Sequence, residues 1–248
     1  MAQFVDIDTA KEFMKETLSK VDIGELHAIR EDLVRKSQVF RELLGAESSV
    51  PLKDPEMRRL LRMVFATRRR TAEILADYPA AELSEWIGEL LNGEGALGDR
   101  INNFCGRLSK LPVHLRYDLA GELLHFTNPE KYWLWTRWVW DPRTKTGALP
   151  LVLTDDFDLT AESEGESYLK VGQVITFLNH VGRAAEVEIF DESAFGVDTY
   201  LSCVYVVYVY TVLRLRMTQE FNKVMPGLPE FSRRLLGVYR MEELKNAS

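Results

Sequence analysis

Arginine is the side chain that grips phosphate and carboxylate through paired N–H bonds, and this chain concentrates it after Pro55. Arg58, Arg59, Arg62, Arg68, Arg69 and Arg70 stand there against only Asp54 and Glu56. Met57, Leu60, Leu61, Val64 and Phe65 recur at helical spacing. The spacing predicts a helix with its apolar stripe inward and several guanidinium groups, Arg58, Arg62 and Arg69 among them, in solvent together. Such a face suits an anion or a nucleic acid. It would be silent if an acidic surface of the same chain covered it. Asp155, Asp156, Asp158, Glu162, Glu164 and Glu166, in a stretch without a basic residue, would supply one.

A second constellation is aromatic. Trp133, Trp135, Trp138 and Trp140 are four of the five tryptophans, and Tyr132 adjoins them. On a helix Trp133 and Trp140 share one face and Trp135 points nearly opposite; on a strand Trp133 and Trp135 share a face. Neither geometry hides all four rings on one side. One pair is therefore expected in the core and the other on a functional surface. There, with Arg137 and Arg143 nearby, the rings would stack on a base or sugar, or anchor a protein partner. The alternative is an aromatic-rich core junction.

Glu122-Leu-Leu-His125 places a carboxylate and an imidazole on one helix face, the half-motif of di-metal helix bundles. A second such pair is missing, because Phe177 and Gly24 stand three residues before His180 and His27. A histidine capping the helix end at Thr127-Asn128, or bonding a backbone carbonyl, is the expected role. Nucleophile elbows and Walker loops are absent. Gly93, Gly95 and Gly98 match a dinucleotide fingerprint in spacing but follow a helix-like segment rather than a strand. Cys105 and Cys203 lie on apolar stripes, as small hydrophobes do. Leu111-Pro112-Val113 with the following LRYDLAGELLHF resembles the hairpin of helix–hairpin–helix DNA glycosylases over a short part of the chain. The hairpin glycines are replaced by Val113, His114 and Leu115, which removes the close backbone approach to phosphate, and no activity is carried over.

The elements that must position these groups are mostly helices. Thr9 and Glu12 have capping-box spacing, Asp22 suits the cap of a helix ending near Gly45, and Asp54-Pro55 is a start signal. Leucine stripes continue to Leu124, with breaks at Pro79, Asn92-Gly93 and Pro112. Asn128-Pro129 opens the tryptophan segment, and Asp141-Pro142 with Gly147 marks a turn. Residues 149–153 and 185–190 read as short strands, with a helix over 166–181 between them. Residues 198–224 are β-branched and aromatic at the front, yet a single strand of that length would run about 85–90 Å, so a long buried helix is expected.

The 248 residues carry 31 basic and 38 acidic side chains, a net charge of −7, which disfavours wholesale coating of DNA or an anionic membrane. The longest uncharged run, Thr199 to Leu213, is shorter than the roughly 20 residues of a membrane span. The expected fold is mostly α, one domain over 1–248 around the 198–224 helix with a minor β element. A division near 147, into a helical 1–147 and an α part 148–248 with that β element, is the alternative. The expected function is a non-catalytic cytoplasmic accessory protein acting through protein–protein contact or self-association. Its binding residues would be Trp133, Trp135, Trp138, Trp140, Arg58, Arg62 and Arg69, with no cofactor and no membrane partner. Nucleic-acid or phosphorylated-ligand binding comes second, and a metal-dependent enzyme using Glu122 and His125 third.

Overall fold

The computed structural model describes residues 5–45, 51–154, 156–184, 193–216 and 226–239. Its helices are α1 (Ile7–Leu18), α2 (Ile23–Leu44), α3 (Asp54–Met63), α4 (Thr71–Asp77), α5 (Ala80–Asn92), α6 (Leu97–Arg107), α7 (Val113–Thr127), α8 (Glu164–Ala184), α9 (Gly196–Arg216) and α10 (Leu228–Leu235). None among the described residues is long and apolar enough to cross a membrane.

The mostly helical expectation holds; the minor β element does not. Leu149–Leu151 is a turn of 3-10 helix, because Pro150 sits where a helix start tolerates it. Leu153 makes only an isolated bridge to Val5, and no strand forms among the described residues. Residues 185–190 lie outside the described residues. The strand-or-helix ambiguity after Asp198 resolves as helix: α9 begins at Gly196, and burial over Val197–Val204 replaces β propensity as the deciding force. Its expected end at 224 lies outside the described residues.

The chain forms two compact units. The first combines residues up to Leu33 with Trp138–Asp158 and Val174–Tyr239. Here α9 packs on α1 and α10. The Tyr200 hydroxyl donates to the Ala10 carbonyl at 2.9 Å. Arg233 of α10 reaches Asp32 at 3.0 Å and Glu25 at 3.1 Å on α2. At the start of α1, Asp6 is the cap. Its carboxylate accepts from the Thr9 backbone at 3.0 Å and the Thr9 hydroxyl at 2.7 Å, three residues before the expected capping residue.

The second unit is Val34–Arg137 with Leu159–Gln173. Its centre is α7, buried from Leu115 to Phe126 except at Arg116. The sequence makes this helix hard to recognise as a centre, since Asp118, Glu122 and His125 interrupt its apolar residues. All three are buried nonetheless. Around α7 stand α5 and α6, and α3 packs on α4 and α5.

Candidate functional site

Three buried polar groups on α7 raise the question of chemistry first. Glu122 accepts from Lys36 Nζ at 2.5 Å and from the backbone N–H of Phe65. Lys36 is 0 % exposed, and its ammonium lies 4.0 Å from the Phe126 ring centre and 5.7 Å from that of Phe40. Burial pushes the Glu122 carboxyl above its ordinary range, against the pull of Lys36 and the Phe65 N–H. His125 Nδ1 donates to the Tyr132 carbonyl at 2.8 Å, the carbonyl-bonding role expected of it. The Asp118 carboxylate accepts from the Arg137 backbone at 2.6 Å. Among the described residues no group of three or more His, Cys, Asp or Glu is placed to hold a metal ion. Glu122 and His125 instead tie α7 to α2, to the turn after α3 and to the segment after α7.

That segment, 128–140, is neither helix nor strand. Asn128 closes α7 instead of opening a new helix. The tryptophans do not divide into one core pair and one surface pair. Trp135, Trp138 and Trp140 are 0 %, 6 % and 5 % exposed, and Trp133 is half-buried. The irregular backbone explains this, because each ring can be aimed at a different element. Trp135 stacks on Tyr117 of α7 with centroids 4.4 Å apart, and Trp133 on Tyr168 of α8 at 4.9 Å. Trp138 lies 6.3 Å from Tyr205 of α9, within the first unit. Two glycines let the backbone come close. A Cβ on Gly121 would lie 2.1 Å from the Trp135 carbonyl oxygen, and one on Gly172 would lie 2.0 Å from the Trp133 ring. Trp135, Trp138 and Trp140 are thus core, and the half-buried Trp133 is packed against Tyr168.

The arginines are not on one helix. α3 ends at Met63, where Val64 turns to an extended conformation, and residues 65–70 form turns. Arg58 and Arg62 therefore lie on α3, while Arg69 lies on the turn beyond it. Arg58 approaches Asp54 at 3.7 Å, Arg70 pairs with Glu73 at 2.8 Å, and Arg68 lies 4.9 Å over the Phe65 ring. Arg62 and Arg69 are exposed and Arg59 is half-exposed. No acid among the described residues pairs with any of these three.

Sequence reasoning missed a cavity of about 220 Å³ between α5 and α6, walled by Trp86, Leu90 and Phe104. The signal was present in Arg100, Asn103 and Arg107, one helix face following a glycine-rich loop, with the fifth tryptophan on the helix before it. No protein-family profile, curated protein or solved structure matches this chain.

Proposed function

We propose that this is a non-catalytic binding protein that acts through protein–protein contact, docking an acidic surface of its partner on Arg58, Arg62 and Arg69, with Arg59 beside them. The observation that carries this is the absence of acidic partners for Arg59, Arg62 and Arg69 among the described residues. An unpaired guanidinium keeps its full capacity for bidentate bonding to a carboxylate. These arginines sit in a chain of net charge −7, so they direct a particular partner rather than giving a general affinity for polyanions. Nucleic acid is the alternative anion, but the burial of Trp135, Trp138 and Trp140 takes those three rings out of the stacking surface that single strands use.

The test compares the parent with R58A/R62A/R69A in affinity purification from the source cell at low and high salt. Each protein recovered is then purified and titrated directly. A partner bound by the parent, released by salt and lost by the variant is the expected result. Equal retention by both proteins overturns the proposal, as does a monodisperse parent with no partner. Short DNA or RNA bound by the parent and lost by the variant would replace it with the nucleic-acid function.

A further inference from the structure

We propose that the pocket between α5 and α6 binds a small zwitterion with an apolar side chain, a ligand of the amino-acid class. The pocket's volume of about 220 Å³ is below the range of drug-sized sites and suits a small metabolite. Trp86, Leu90 and Phe104 give it an apolar wall. Its polar groups differ in how far the protein already satisfies them.

Arg107 and Glu89 satisfy each other. Their ion pair is 2.7 Å long and links α6 to α5, and the Arg107 guanidinium lies 5.7 Å over the Trp86 ring. Arg100 is different. It is half-buried and donates through one terminal nitrogen to the carbonyls of Leu90 at 2.8 Å and Leu91 at 2.9 Å, closing the end of α5. Its other terminal nitrogen has only the Tyr132 hydroxyl at 3.4 Å, and its buried Nε has no partner. No carboxylate among the described residues balances its charge. A partly buried cation whose protein partners are all neutral acceptors favours an incoming anion. Glu94, which also lines the pocket, is exposed and has no cationic partner among the described residues. The exposed Asn103 amide, likewise without a hydrogen-bond partner there, adds a donor and an acceptor.

A lone anion would meet Glu94 and a lone amine would meet Arg100. A zwitterion answers both, its carboxylate toward Arg100, its ammonium toward Glu94 and its side chain against the apolar wall. These residues are distinct from the α3 arginines, so the two proposals stand or fall separately.

The experiment is calorimetric titration of the full chain with L-leucine and L-phenylalanine. 3-Phenylpropionate and phenethylamine serve as probes that each lack one charge. At least one amino acid is expected to bind, and each single-charge probe to bind at least tenfold more weakly than L-phenylalanine. E94Q is expected to abolish the preference for L-phenylalanine over 3-phenylpropionate, and N103A to weaken both amino acids. Both replacements are at exposed positions, and an unchanged melting temperature in the absence of ligand verifies that they fold. The proposal is overturned if neither amino acid binds, if 3-phenylpropionate binds the parent as tightly as L-phenylalanine, or if E94Q leaves the preference intact.

Discussion

Trp133 and Tyr168 bond to each other's backbones. The indole N–H of Trp133 donates to the Tyr168 carbonyl at 2.6 Å, and the Tyr168 hydroxyl donates to the Trp133 carbonyl at 3.1 Å. The rings stack between these two bonds. Burial holds the Tyr168 phenol well above its ordinary range, so it is a donor at neutral pH. Y168F keeps the ring and removes the donor, leaving a carbonyl without its partner. A loss of about 1–3 kcal/mol is expected in urea unfolding. A change below about 0.5 kcal/mol would mean that the reciprocal bonding contributes nothing to stability.

Gly121 and Gly172 should not tolerate alanine. The first clash is with backbone and the second with a packed indole, so neither neighbour can move aside cheaply. Each substitution is expected to cost about 1–3 kcal/mol or more. Gly88, in the middle of α5, has nothing within 4 Å of its would-be Cβ. G88A should stabilise by about 0.5–1 kcal/mol through helix propensity alone. Thermal melts of the three variants give the comparison.

The Lys36–Glu122 pair is expected to behave as one unit. E122L or K36M alone strands a buried charge and should cost about 3–5 kcal/mol, while K36M/E122L should recover most of that loss. A double-mutant cycle by denaturant titration measures the coupling. Additive losses would show that the two charges act independently.

Asp6 makes the protein sensitive to acid at one helix end. Hydrogen bonds from Thr9 hold its carboxyl below the usual aspartate range. A depressed folded value means that the stabilisation is complete above the unfolded pKa, about 3.9, and is lost as pH falls through the folded one. Asparagine caps equally well without titrating. Below about pH 4 the parent should therefore lose stability relative to D6N, and circular dichroism melts from pH 6 to pH 2 would record a widening gap. A constant gap across that range would show that Asp6 does not titrate as the cap.

Both thiols should be silent until the protein unfolds. Cys105 and Cys203 are buried, and burial pushes Cys203 up to about 11 and Cys105 higher still. The thiolate is the reactive form. Ellman's reagent at pH 8 is expected to titrate neither thiol in the native protein and both in guanidinium chloride. Rapid native labelling would contradict the packing around α6 and α9.

The helices were legible where one face is apolar and a strong start signal precedes it. α3 starts at Asp54-Pro55, one residue earlier than an Asp54 cap implies: Lys53 stands at the cap and Glu56 accepts from its backbone at 2.8 Å. The pattern is obscured where burial is complete or where regular structure is absent. α7 carries Asp118, Glu122 and His125 inside, and only their partners on other elements make that tolerable. Those partners are far away in sequence: Lys36 stands 86 residues before Glu122. The tryptophan segment fits neither period because its rings serve separate cores, and no local rule encodes that. The arginine cluster was legible in composition but not in geometry, since the end of α3 at Met63 has no glycine or proline to announce it. The α5–α6 pocket is signalled in the sequence only by Arg100, Asn103 and Arg107 on one face of α6; which of its side chains are left unsatisfied follows from the packing of the helix pair.

The contact between α1 and α9 has a consequence for synthesis on the ribosome. Ala10 and Tyr200 are 190 residues apart, and Glu25 and Arg233 are 208 apart. At roughly 5–20 residues per second, α1 would emerge about 10–40 s before α9 is translated. Over that interval the buried side of α1, including Met14, has no α9 to cover it. The nascent chain would thus expose the apolar side of α1 over that interval, and its yield should depend on chaperones that shelter such a face until α9 arrives.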